Sequence, residues 1–199
     1  VLNVPLQAGW NYVSTPLQAA DMSVAAVFEA GLGDNLLKVL GDDDFALSGN
    51  YTPGIPDVFN TLTATTDGAG YVVKVESDAV WTSAGAPVDP EATSLGLNAG
   101  WNIVGYVPQE ALSLDDALAS IDDVLERVID GQNGLIYHVD NPAPLNTLEN
   151  LEPGRSYWVK ISAADDLVYP GTLSGITDEI TGGGISENST PTLRTDACA

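Results

Sequence analysis

The hexapeptide LQAGWN at residues 6–11 returns, with one exchange, as LNAGWN at residues 97–102. Self-similarity at long range calls for two copies of one supersecondary pattern, and it restricts topology more tightly than any composition does. The correspondence runs on. SVAAVF at 23–28 faces SLDDAL at 113–118, and KVLG at 38–41 faces RVID at 127–130. PDVFNTL at 56–62 faces PAPLNTL at 142–148, and YVVKV at 71–75 faces YWVKI at 157–161. From Pro56/Pro142 to Gly85/Gly171 the offset is constant. We therefore expect a first repeat unit over 1–87, a linker over 88–94, a second unit over 95–171 and a polar tail over 172–199. Pro87 and Pro90 at the junction resist both helix and sheet.

Each unit has the same local grammar. GWNYVS and GWNIVG alternate large apolar residues with a period of two, which predicts strands. Trp10 and Tyr12 then share one face and Val13 takes the other. Ser23 and Ser113 precede apolar residues at helical spacing, and a serine oxygen at that place caps orphan backbone N–H groups. LLKVL and LERVI lead through the polar turns GDDD and DGQNG into FALS and LIYHV, a hairpin pattern. Tyr71, Val73 and Val75, like Tyr157, Val159 and Ile161, line one face of a later strand. The fold class expected is α+β, mostly β: two tandem homologous units of antiparallel strands with one short helix each.

Two expectations attach to the repeated residues. Trp10 and Trp101 are expected as duplicated core anchors, because a buried indole removes roughly 200 Å² from water; the alternative is an exposed carbohydrate platform. Lys38/Arg127 and Lys74/Lys160 occupy matching places and account for four of the six basic residues. They are expected to pair with carboxylates on neighbouring strands.

Those six cations stand against 28 acidic residues, a formal net charge of −22. So few cations build no phosphate-binding patch, which argues against nucleic acid. An anionic membrane surface would repel the chain, and no apolar run approaches the ~20 residues of a membrane span. The lone cysteine, Cys198, makes no internal disulfide. The chain opens on Val1 with no basic-then-apolar leader, as a processed chain or a fragment does.

The opening L-x-x-G-W-N, the N-T-L turn, and LEPGRSYWVKI at 151–161 with GAGYVVKV at 68–75 resemble a repeat of large secreted and cell-surface bacterial proteins. There it lies beside immunoglobulin-like, adhesion and anchoring modules. The resemblance spans about 170 residues. It implies an extracellular or cell-surface building block without catalytic activity, and it transfers no catalytic residue.

A direct search for chemistry agrees with that expectation. His138 is the single histidine and lies in the apolar strand LIYHV. No G-x-S-x-G elbow, P-loop or dinucleotide fingerprint is present. No catalytic or cofactor-binding residue is assigned. Asp42, Asp43 and Asp44 form the densest carboxylate cluster and the one candidate calcium site, although the EF-hand order is missing; the alternative is a solvated hairpin turn.

The function expected is that of a structural or interaction subunit: a surface-layer, adhesin or filament protein. It would assemble with copies of itself through sheet edges and the tail. The alternative is a carbohydrate-binding module for cell-surface glycans, which requires Trp81, Trp158, Tyr106 or Tyr169 to be exposed and coplanar.

Overall fold

The computed structural model describes residues 1–41 and 44–171. The chain is mostly β. Its strands are β1 (Leu2–Leu6), β2 (Gly9–Ser14), β3 (Leu17–Gln18), β4 (Leu36–Gly41), β5 (Gly49–Tyr51), β6 (Gly70–Val75), β7 (Ala79–Ser83) and β8 (Ala86–Pro87). They continue as β9 (Ser94–Leu97), β10 (Gly100–Gly105), β11 (Leu112–Ser113), β12 (Leu125–Asp130), β13 (Leu135–His138), β14 (Asn150–Leu151), β15 (Ser156–Ile161) and β16 (Asp165–Val168). Two four-stranded antiparallel sheets dominate, in the orders β2-β6-β4-β5 and β10-β15-β12-β13. Their registers match: Gly9 faces Val75 and Ser14 faces Gly70, as Gly100 faces Ile161 and Gly105 faces Ser156. A bulge interrupts each sheet at the same place, between Leu36 and Lys38 and between Leu125 and Arg127. Two-stranded pairs flank them, β1 with β7 and β9 with β16.

The helical content is small. Ser113 Oγ accepts from Asp116 N–H at 3.1 Å and opens the turn Leu114–Ala117. Ser23 Oγ accepts from Ala26 N–H at 3.2 Å, but its segment is a π-type turn, Ala25–Glu29, running into one α turn, Ala30–Leu32. The two serines cap alike, and the geometry behind them diverges.

The repeated GWN is a turn clamp. Asn11 is buried; its Oδ1 accepts from Gln7 N–H at 2.9 Å and its Nδ2 donates to Gln7 C=O at 2.8 Å. Asn102 does the same to Asn98, at 3.0 and 2.8 Å. Each amide pairs with both a donor and an acceptor of the turn backbone and fixes the entry to the following strand. Gly9 and Gly100 sit at φ +102° and +100°, a conformation that side chains resist. NTL is a second clamp. Asn60 Oδ1 accepts from Thr52 N–H and Thr61 Oγ1 from Asn50 N–H; Asn146 and Thr147 repeat this on His138 and Ile136. The clamps close the outer edges of β5 and β13.

The opposite edges, β2 and β10, are closed by the other half of the molecule. Ser14 N–H donates to Gly154 C=O at 3.1 Å, and Gly105 N–H to Gly68 C=O at 2.9 Å. Tyr12 N–H donates to Gln132 Oε1 at 3.1 Å, and Ile103 N–H to the Phe45 carbonyl at 2.7 Å. Val13 bridges Arg155 and Val104 bridges Ala69. The Ser14–Gly154 and Gly105–Gly68 bonds and the two bridges are made by equivalent residues in each direction, the pattern of an isologous interface, whereas Tyr12 and Ile103 meet different partners. The backbones approach so closely that a Cβ on Gly105 would lie 2.4 Å from the Ala69 carbonyl oxygen.

One core lies within each half. The first is built on Phe28, Tyr71 and Trp81, the Trp81 indole donating to Val27 C=O at 2.8 Å. The second contains Tyr106, Tyr157 and Tyr169, and also takes Phe45 from the first half and Val88 from the junction.

Gly105→Ala is expected to lower stability by about 1–3 kcal/mol through overpacking against backbone. Gly96→Ala, exposed and facing only an Asp166 oxygen at 3.4 Å, stays within about 0.5 kcal/mol. Urea unfolding midpoints distinguish the two. Asn102→Ala, which removes the buried amide that pairs with both Asn98 backbone groups, is expected to cost about 1–3 kcal/mol in the same assay.

Candidate functional site

The tryptophans of GWN are not core anchors. Trp10 and Trp101 are each 44% exposed. The reason is strand alternation: the Asn clamp must point inward to reach its turn, so the residue before it faces outward. The core position falls instead to Trp81, which is wholly buried with Phe28 at 4.8 Å between ring centres. Tyr106 and Tyr169 are buried as an edge-to-face pair at 5.3 Å. Of the aromatics named for a sugar platform, Trp158 alone reaches solvent. It meets Trp101 at 6.5 Å with the rings at 89°, so the two are perpendicular and not coplanar.

The cations stand beside these tryptophans on the outer faces. Trp10 lies opposite Lys74, and Lys74 opposite Lys38. In the second sheet one row crosses all four strands: Trp101, Lys160, Arg127 and His138. The adjoining row is Ile103, Trp158, Ile129 and Ile136. The bulges set Lys38 and Arg127 directly opposite another cation. This differs from the expected pairing with carboxylates, which holds for one residue: Lys160 Nζ meets Glu126 at 2.6 Å, the only ion pair among the described residues. Lys74 Nζ lies instead 5.4 Å from the Trp10 ring centre, within cation–π range. Like charges directly opposite disfavour pairing, so sheet stability does not explain their placement.

Trp101, Ile129 and Trp158 line a shallow, almost wholly apolar groove of about 340 Å³. Arg127 is exposed at its side. The equivalent positions of the first sheet hold Val72 and Leu40 in place of Trp158 and Ile129.

Asp42 and Asp43 of the candidate calcium turn lie outside the described residues, and Asp44 is exposed. No group of three or more His, Cys, Asp or Glu side chains placed to hold a metal occurs among the described residues. The buried acidic residue that counts is Asp130, missed in the sequence. It accepts from the Gln132 and Asn133 N–H groups at 2.8 and 3.2 Å and from Asn133 Nδ2 at 2.6 Å, fixing the turn that reaches the other half. Its signal was the D-x-x-N spacing of an Asx-type turn. His138 Nδ1 accepts from Asp140 N–H at 3.1 Å, a turn contact at the edge of its sheet.

Tyrosine phenols carry the large shifts in acidity. Burial pushes the Tyr106, Tyr157 and Tyr169 phenols well above the ordinary value of 10.0. Tyr51 is pushed up to about 12, first by desolvation and then by Glu29, whose carboxylate accepts its hydrogen bond. These are packing effects: the Tyr157 oxygen accepts from Glu152 N–H and Tyr106 donates to Glu110 C=O.

No family model matches the chain, and neither a curated protein nor a solved structure does.

The tyrosines set an alkaline limit. Below pH 10 the phenols are protonated in both folded and unfolded chains, and their contribution is complete. Above 10.0 the unfolded chain sheds these protons first, so stability falls as pH rises towards the folded values. Thermal unfolding followed from pH 8 upward is expected to stay flat to about 9 and then drop. Tyrosinate absorbance from the buried phenols should appear together with loss of the fold.

Proposed function

We propose that this chain is a non-catalytic structural or interaction protein of the cell surface or extracellular space, a surface-layer, adhesin or filament subunit that assembles with copies of itself. One observation carries the reading. The polar residues that recur between the halves serve the scaffold: Asn11/Asn102, Asn60/Asn146 and Thr61/Thr147 hold backbone groups. What recurs at the surface is an exposed tryptophan beside cations. The resemblance of the GWN and GYWVK patterns to secreted and surface repeats supports the same reading. So does the high acidity, whose self-repulsion is weakened in saline surroundings.

Both edges of each four-stranded sheet are occupied among the described residues. Strand addition is therefore assigned to the two-stranded pairs and to residues 172–199, which lie outside the described residues. Calcium at the Asp42, Asp43 and Asp44 turn is the metal this reading would accept.

A second reading, a module for cell-surface glycans, rests on the exposed Trp101 and Trp158. Quenching of intrinsic fluorescence by soluble glycans, absent in Trp101→Ala, is the result it requires.

The test is sedimentation velocity and negative-stain electron microscopy of the full chain, with and without a calcium chelator. Mass rising with concentration and ordered filaments or sheets are expected. Their loss on chelation would assign the Asp turn a role. A chain that stays monomeric at every accessible concentration overturns the structural reading.

A further inference from the structure

The two halves share the strand order of their sheets and differ, among other places, at two exposed ones. The first is the turn Asp57–Phe59. It is closed by Phe59 N–H to Pro56 C=O at 2.9 Å and Asn60 N–H to Asp57 C=O at 2.9 Å, and the Asn60 clamp fixes it to Thr52. On this firm base Val58 is 82% and Phe59 64% exposed, beside the carboxylate of Asp57. The matching turn of the second half, Ala143–Leu145, has no charge. The second place is the groove of Trp101, Ile129 and Trp158, flanked by Arg127 and Lys160; the first half has Leu40 and Val72 where Ile129 and Trp158 stand. One half thus presents an acidic apolar knob, and the other a basic apolar groove.

We infer that the knob Asp57–Phe59 of one copy docks in the Trp101–Ile129–Trp158 groove of a second copy, Asp57 meeting Arg127. This rests on the self-assembly reading above and names its contact. The chemistry is complementary on both counts. Phe59 and Val58 are exposed apolar groups that the described residues leave uncovered, and the groove offers indole faces and Ile129. Glu126 already holds Lys160, whereas Arg127 has no ion pair among the described residues. In a chain of net charge −22 an exposed cation beside an apolar groove selects an acidic apolar partner, and the knob is such a partner present in every copy. Because knob and groove are different surfaces, the contact is heterologous, and repetition gives an open filament unless the rotation closes a ring.

The test uses the full chain and two variants. Phe59→Asp removes the knob; Trp101→Ala with Arg127→Glu removes the groove. These side chains are exposed, and unchanged circular dichroism and urea midpoints check the fold. Wild type is expected to gain mass with concentration in sedimentation velocity. Each variant alone is expected to remain monomeric, shifting association by roughly tenfold in concentration or more. An equimolar mixture of the two keeps one good knob and one good groove, so it should form one-to-one dimers and nothing larger. Variants that assemble like wild type, or a mixture that stays monomeric, overturn the contact while leaving self-assembly in place. Glycan quenching lost in the groove variant, with unaltered assembly, gives the groove to a sugar and also overturns it. A monomeric wild type overturns both readings.

Discussion

Everything in this fold depends on closing the edges of two four-stranded sheets. A sheet of that size leaves two rows of unpaired N–H and C=O groups, each a template for unwanted pairing. Here the rows at β5 and β13 are met by Asn and Thr side chains of the NTL segments, and those at β2 and β10 by the opposite half. Main-chain bonds between halves require contact at backbone distance, hence glycine at 105, and hence two halves that form one body. The clamps, the interface and the exposed tryptophans all descend from that requirement.

The β-rich, antiparallel character was legible, because period-two alternation fixes strands. Tyr71, Val73 and Val75 do line one buried face, as do Tyr157, Val159 and Ile161. The tryptophans were misread because hydrophobicity was weighed residue by residue. An indole gains a few kcal/mol from burial, but an unsatisfied turn costs a comparable amount at several backbone atoms, and only one face of β2 points inward. The competing signal, Asn immediately after Trp, was present in both copies. Contacts between the halves left no trace in pattern or composition. Tyr12 against Gln132, and Phe45 against Ile103, pair residues far apart in sequence whose types have no evident affinity. The asymmetry of the groove was visible as Trp158 standing where Val72 stands, yet its meaning needed the register that sets Ile129 beside it.

The cations show how sheet geometry turns sequence matches into chemistry. Lys38/Arg127 and Lys74/Lys160 were legible as equivalents, but the acidity of the chain suggested carboxylate partners. The bulges decide otherwise. Skipping one residue at Leu37 and at Glu126 brings Lys38 and Arg127 opposite another cation on the tryptophan face. A like-charged pair is tolerable there because strands are only ~5 Å apart yet the heads of these side chains reach solvent. On the first sheet the ring of Trp10 takes one of the heads; on the second, Glu126 does, and Arg127 has no ion pair among the described residues.

An isologous pair of halves would by itself give a molecule with two identical faces and no polarity. Divergence at a few exposed positions changes that. Replacing Val72 and Leu40 by Trp158 and Ile129 leaves the inner face of the sheet untouched, since alternation separates the two faces. Likewise Asp57, Val58 and Phe59 occupy a turn whose hydrogen bonds use backbone and the Asn60 amide, so the side chains there are free to differ from Ala143, Pro144 and Leu145. The scaffold therefore separates what must be conserved between halves, namely edge closure, from what can differ, namely surface. A protein built on that separation gains direction, with a front and a back on one symmetric frame, and direction is what head-to-tail assembly requires.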